Sequence, residues 1–465
     1  MSVDSKDFVS KRRIYTLNGL PPEVVAVAFA RCSRSPEAFD KIAKELNEDK
    51  SRQFHEKWIV GYGHSSVAEH AVLSLAIENV SILATKVIED NRLCSFTEKS
   101  SRYQLFDRNR YYKPKNLMAS SLGKVYQETA DYILDTYNSL FPTMIDFWKK
   151  KYPQPEDVSD KLYQVQLKNK VLDVLRYMLP VSVLTNLGMT VNARNLEHVI
   201  VKMLSHPLEE MRGIGEEIKE AALKVTPTLV KYTKYNDYMG ETYSAMEKVA
   251  EEKLGIVSGD EEQKAVLVEY DKDADNKLVA ALLYRFSNLP YKKIKDKVEK
   301  MNNEEKAKIV DEALKKMGKF DRPIRELEHV YYTFDVLMDY GAFRDLQRHR
   351  ICTQTNQECT TNHGYCTPVE IVEAGIKDKY DKCMNLALGA YKKISKEFPK
   401  EAQYMVPLAF RKRTLFNLNL RECHHLIKLR TSEFAHASYK SIAQQMYREI
   451  DKVHPLLAKY IQVND

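Results

Sequence analysis

The sequence predicts an α/β (α+β) domain built twice in tandem, each copy a sheet flanked by long helices, and three observations carry that expectation. Glu69-His70 opens one copy and Glu328-His329 the other, each followed by an alternating apolar stretch, 71–77 and 330–336. From His to a closing arginine the spacing is 22 residues in the first copy (His70 to Arg92) and 21 in the second (His329 to Arg350). Further on, Met178-Leu179-Pro180 and Met405-Val406-Pro407 each precede a β-rich stretch, and the proline stands 12 residues before Asn192 and Asn419 alike. Alternation predicts strands, a 3.6-residue period predicts helices, and recurrence of an ordered set predicts a repeated unit.

Taken in order, Ser35 to Asn47 reads as a helix with Ser35 as its N-cap. Strand 71–77 leads into a helix over 81–91; long amphipathic helices follow over 126–149 and 161–178. After Asn192-Ala193-Arg194 come helices over 195–204 and 208–225. The second copy repeats the order: a strand over 330–336, a helix from near Tyr340 that closes on Arg348-His349-Arg350, and, after Asn419-Leu420-Arg421, helices over 422–429 and 437–453. Between the copies lies a charged, turn-prone stretch with Gly255 and Ser258-Gly259-Asp260. The chain therefore divides into 1–240, a linker over 241–264, and 265–465.

With 44% hydrophobic and 29% charged residues and only 15 Gly and 16 Pro in 465, the chain can bury a sizeable core, which excludes wholesale disorder. A net charge of +7 suits anionic ligands such as phosphates, but no basic block argues for nucleic acid. No apolar run approaches the roughly 20 residues of a membrane span, and the N-terminus lacks a signal peptide's apolar stretch, so the expected location is cytoplasmic. Seven cysteines in so large a chain read as reduced thiols.

Two guanidiniums flanking an imidazole, Arg348-His349-Arg350, offer a rigid donor array for phosphate or for a heteroaromatic ring that gains charge on reduction; the plain alternative is a basic last helical turn. Glu98-Lys99-Ser100-Ser101-Arg102-Tyr103 supplies the acceptor, hydroxyls and guanidinium that a nucleotide monophosphate requires, or else decorates a polar loop. Cys352, Cys359, His363 and Cys366 lack the tight Cys spacing of zinc sites and are read as small half-buried thiols, so no metal is expected.

Arg92, seven residues, then Ser100, with Gly63 to His70 upstream and Asn192-Ala193-Arg194 downstream, resembles the flavin-dependent thymidylate synthases, whose signature is Arg-His-Arg, seven residues, Ser. The resemblance covers most of both halves and implies two fused, diverged copies of that subunit. Copy one carries Asp90-Asn91-Arg92 in place of Arg-His-Arg but matches the family's nucleotide loop at Ser95, Glu98, Ser100, Arg102 and Tyr103, with Arg176 as a further dUMP arginine; Met203 replaces the activating arginine and Pro207 falls near a flavin-contacting His. Copy two keeps Arg348, His349 and Arg350, places Asn419, Arg421, His425 and His436 at flavin-contacting positions and Arg430 at the activating one, yet has Glu358 for Ser and Thr360 for Arg. Ser33, His64, Ser66, Glu69, Asn192 and Arg194 match flavin positions of copy one.

The resemblance thus implies FAD as cofactor, NADPH and methylenetetrahydrofolate as co-substrates, conversion of dUMP to dTMP, and a homodimer equivalent to the family's tetramer. Complementary losses imply a shared site joining Glu98, Ser100, Arg102 and Arg176 to Arg348, His349, Arg350 and Arg430. Two other readings remain open: a flavoenzyme methylating another pyrimidine nucleotide, and a non-catalytic flavin- or nucleotide-binding paralogue.

Overall fold

The computed structural model describes residues 12–46, 51, 53, 54, 56, 65–255, 262–433 and 435–464. Three antiparallel strands form the first sheet, β1 (Val72–Ser81), β2 (Cys94–Glu98) and β3 (Leu184–Asn192), in the order β1-β3-β2. The second sheet holds β4 (Lys264–Tyr270), β5 (Tyr331–Asp339), β6 (Cys352–Asn356) and β7 (Arg411–Asn419) in the order β4-β5-β7-β6. Strands β5, β7 and β6 therefore repeat β1, β3 and β2, and β4 is an added edge.

Each sheet hands its strands to helices in the same way. Ser81 caps the helix Ile82–Glu89 by accepting from the Ala84 amide at 2.9 Å, and Asp339 caps Tyr340–Leu346 by accepting from Ala342 at 2.7 Å. Asn192 and Asn419 cap Ala193–Leu204 and Leu420–Arg430, each with its side-chain oxygen 2.9 Å from the amide three residues on. A cap satisfies one of the donors that a helix leaves without an internal acceptor. Ala193–Leu204 buries Leu196, Val199, Ile200 and Met203, an apolar stripe at helical spacing.

Three expectations need correction. Ser35 is not an N-cap: the helix is Phe39–Glu45 behind Ala38, and the Ser35 hydroxyl accepts from the Glu37 amide at 3.2 Å. Pro36 holds Ser35 extended and delays the helix; Asn47 lies outside the described residues. Arg348-His349-Arg350 follows the helix instead of forming its last turn: the helix ends at Leu346, whose carbonyl accepts from the His349 amide at 3.1 Å, and Gln354 Nε2 takes the carbonyls of Gln347 and His349 at 3.2 and 2.6 Å. The stretch 241–264 is for its larger part the end of a helix, Asp237–Leu254, capped by Asn236 and stopped at Gly255 with φ 68°; none of its residues is buried.

The two copies share one core. Their proline segments pair antiparallel at Pro180 and Pro407, where the Val181 amide donates to the Val406 carbonyl at 3.0 Å and the Leu408 amide to the Leu179 carbonyl at 2.9 Å. Equivalent residues exchanging equivalent bonds make a local two-fold axis, the isologous contact of a symmetric dimer carried inside a single chain. Buried side chains from both halves form a continuous cluster around this seam. No helix among the described residues is long and apolar enough to cross a membrane.

Candidate functional site

At the seam, the C-terminal residue of β2, Glu98, is buried against the other copy. Its carboxylate lies 2.8 Å from Arg344 Nη2 and 2.9 Å from Lys86 Nζ, and accepts from Thr85 Oγ1 at 3.1 Å. Burial acts to raise its pKa, but Arg344 and Lys86 outweigh that and hold it at about 2. Arg344 also donates to Ser101 Oγ at 2.9 Å, and Arg350 to the Arg92 carbonyl at 3.1 Å. The loop 98–103 of copy one is thus fastened to the helix that precedes Arg348.

Beside it, one acid gathers three of the expected site residues. Asp173, a turn before Arg176 on the helix Asp160–Leu175 and its continuation, lies 2.9 Å from Arg102 Nε, 3.2 Å from Arg176 Nε and 3.9 Å from His436 Nε2. Arg176 is buried, and its Nη2 is a donor without a hydrogen-bond partner. Its pKa is nonetheless raised, because Asp173, Tyr177, Asp345 and Asp339 outweigh the desolvation that lowers it. Arg102, Asp173 and Tyr177 of copy one and Asp339, His436 and Ser438 of copy two line a cavity of about 500 Å³, with Gln263 of the connecting segment. The Ser100 hydroxyl turns to the Arg102 amide at 3.2 Å.

A second cluster adjoins it. Arg430 Nε donates to His349 Nε2 at 2.9 Å, and Nη2 to the Asp345 carbonyl at 2.5 Å, while His349 Nδ1 is 2.7 Å from Glu422 Oε1. Asp345 links the clusters: its burial raises its pKa, but Arg176, Arg430, Arg348 and Arg344 together bring it below the usual range. The Arg430 guanidinium sits 5.5 Å over the Tyr439 ring, and His436 stacks on Tyr177 with centroids 5.7 Å apart.

Of the expected residues, Arg102 of one copy and His436 of the other line the cavity; Arg176 adjoins it through Asp173, Arg348, His349 and Arg430 belong to the cluster beside it, and Glu98 is buried against Arg344. The other expected residues stand apart from this cavity. Glu69 and Arg194 pair with each other at the surface, Ser66 is exposed, Ser33 Oγ donates to the Ala30 carbonyl at 2.8 Å, and Asn192 serves as a cap. Copy two repeats that pairing, with Arg421 Nη1 2.8 Å from Glu328, and His425 is exposed beside His349. His64 lies outside the described residues.

Across the local axis, the counterpart positions carry other residues. Lys400 stands where Asp173 stands relative to the following strand, 2.6 Å from Glu358 and 2.5 Å from Glu247 of the connecting helix. Gln403 replaces Arg176, and its side-chain oxygen accepts from the Cys359 amide at 3.1 Å. Glu358 is thereby neutralised by a lysine, and no guanidinium replaces Arg102 there.

Sequence reasoning missed Asp173, Asp345, Arg344 and Glu422. Asp173 and Asp345 each precede a motif arginine by three residues, which on a helix reads as an ordinary ion pair. Among the described residues, His349, Glu422 and His425 bring possible metal-ligand atoms within 4.8 Å of one another. Both His349 nitrogens are already engaged, and Arg421 and Arg430 lie close enough to act on Glu422 electrostatically, an environment hostile to a cation.

A family model described as "Thymidylate synthase complementing protein" matches the chain twice, over residues 16–228 and 266–456. The chain is similar to a UPF0159 protein of Chlamydia pneumoniae, 33% identical, with 97% of this chain and 92% of that protein covered. It is also similar to a flavin-dependent thymidylate synthase of Clostridium tetani, 27% identical over 47% of this chain and 84% of that protein. Among solved structures, a flavin-dependent thymidylate synthase of Helicobacter pylori complexed with FAD and dUMP matches at 16% identity and a TM-score of 0.33, covering 43% of this chain and 100% of that one.

Proposed function

Because the chain belongs to the thymidylate synthase complementing protein family, whose model it matches in both halves, we propose that it is an FAD-dependent thymidylate synthase converting dUMP to dTMP with methylenetetrahydrofolate and NADPH. The observation that carries this reading is the cavity at the seam, where Arg102, with Arg176 behind it, faces His436 of the other copy, the Arg430 cluster adjoining through Asp345. Each copy lacks what the other retains, so one site per chain is built from both.

In this reading Arg102 and Arg176 bind the phosphate, for which paired guanidiniums are suited. The unpartnered Nη2 of Arg176 is a donor awaiting an anionic oxygen. Arg430, locked by His349 and the Asp345 carbonyl, is oriented in advance to stabilise negative charge developing on the pyrimidine ring, an effect typically of a few kcal/mol. Arg348, Arg350, Asn419, Arg421, His425 and His436 would hold FAD on one side, with Ser33, His64, Ser66, Glu69, Asn192 and Arg194 contributing from copy one, in a homodimer that restores a four-copy assembly. Bound FAD would supply the hydride chemistry that none of these side chains can perform.

The test is release of the ring hydrogen from dUMP labelled at C5, with and without FAD, NADPH and methylenetetrahydrofolate. Release that requires all of them supports the reading. No release from dUMP, with release from UMP or a cytosine nucleotide under the same conditions, would assign the cavity to another pyrimidine.

A further inference from the structure

We infer that Glu422 is a positioning residue for Arg430, acting through the tautomer of His349; the inference rests on the reading of Arg430 as the group over the pyrimidine. Glu422 and Arg430 lie on the same helix, two turns apart, and do not meet directly. Both meet the side chain of His349, which the segment after Leu346 delivers between them.

The assignment follows from what each group can do. A guanidinium has donors and no acceptor, so the 2.9 Å contact from Arg430 Nε requires a bare lone pair on His349 Nε2. The ring proton is then on Nδ1, 2.7 Å from Glu422 Oε1, which accepts it. His349 and Glu422 are 3% and 6% exposed, so water does not compete for either bond. The opposite tautomer would set an N–H of His349 against an N–H of Arg430 and release the guanidinium from its fixed orientation. Burial, then Arg430 and His425, keep the imidazole neutral, as this arrangement needs. Nothing in the spacing of the motifs marks Glu422 for this role, because Asn419 and Glu422 together look like the first turn of a capped helix.

Two variants separate this role from packing. Glu422→Leu keeps the volume and removes the acceptor; Glu422→Gln keeps an acceptor oxygen without the charge. Nitrogen-15 NMR of the full-length protein with labelled histidine, assigned by difference with His349→Gln, reads the tautomer whether or not turnover occurs. The expected result is an Nδ1–H tautomer in the parent and its loss in Glu422→Leu. With it, kcat for dUMP should fall about tenfold or more, with KM and FAD content within about twofold, and Glu422→Gln should recover part of the rate. An Nε2–H tautomer in the parent would overturn the inference, as would a Glu422→Leu protein that retains both tautomer and kcat. Should Glu422→Leu fail to fold, the parent tautomer and Glu422→Gln decide. Should the parent show no turnover at all, the proposed function fails, and the tautomer alone judges the relay.

Discussion

Asp173 stands against His436 and against two arginines, Arg102 and Arg176, that the proposed phosphate would also need. A carboxylate there keeps the guanidiniums oriented but competes with the ligand, and with its side chain 21% exposed it is screened only in part. Asp173→Asn should therefore tighten dUMP binding by severalfold, measured by calorimetry, whereas weakened binding would mean that orientation outweighs competition. Removing the donor has the opposite sign: Arg102→Ala should weaken dUMP binding by about 1.5–3 kcal/mol, the loss expected for a charge-assisted contact. Arg430→Ala should abolish turnover with little loss of FAD, read from the flavin absorbance and the hydrogen-release assay. Arg102, Arg176 and Arg430 could be named from the sequence only through the family resemblance, since the counterpart positions hold Thr360, Gln403 and Met203. Asp173, Asp345 and Arg344 could not be, since their importance arises only when the fold brings the second copy against the first.

At the scale of elements, the strand-to-helix junctions were the most readable part, because Asn192 and Asn419 combine a cap with an apolar pattern that changes period at that point. That cap should be worth about 1 kcal/mol, so Asn419→Ala should lower the urea midpoint accordingly. Glu247→Ala on the connecting helix should change stability by less than about 0.5 kcal/mol, because the side chain is 42% exposed and its ion pair with Lys400 is half in water. The connecting helix was misread because charge and a distal Gly-containing turn hid a capped helix with no buried face to betray it. The end of the helix at Leu346 was equally hidden, since the carbonyls just beyond it are taken by Gln354, a partner that helical spacing does not reveal.

For the whole molecule, buried titratable groups make stability depend on pH. Burial, then nearby lysines, push His206 and His424 down to about 4 from the ordinary 6.5. Both stay neutral when folded and take up a proton when unfolded, so their contribution is complete above pH 6.5 and is lost as the pH falls toward 4. Glu210 and Glu422, raised by burial, act with the opposite sign, because the folded chain holds protons there that the unfolded chain releases. The histidine share is isolated by His424→Leu, which should lose less melting temperature than the parent between pH 7 and pH 4.5. The continuous core leads to another expectation: either half expressed alone should be inactive, and mixing the halves should restore some activity.

The two cations around Glu98 reach further. Lys86 and Arg344 occupy the same position after their respective caps, Ser81 and Asp339, and converge on a single acid, and Lys86 also pairs with Glu89; the residue matching Glu98 at the end of β6 is Asn356, and the one matching Glu89 is Gln347. A first half pairing with another first half would bring its own lysines and acids and remain balanced. Two second halves meeting in the same way would bury two guanidiniums with no carboxylate between them, and an uncompensated buried charge is strongly disfavoured. The seam therefore discriminates between like and unlike: the second half rejects its own kind and accepts the first. Mispairing between neighbouring chains should therefore be disfavoured on that side, and Glu98→Gln should weaken the discrimination by depriving Arg344 of the acid that the first half supplies.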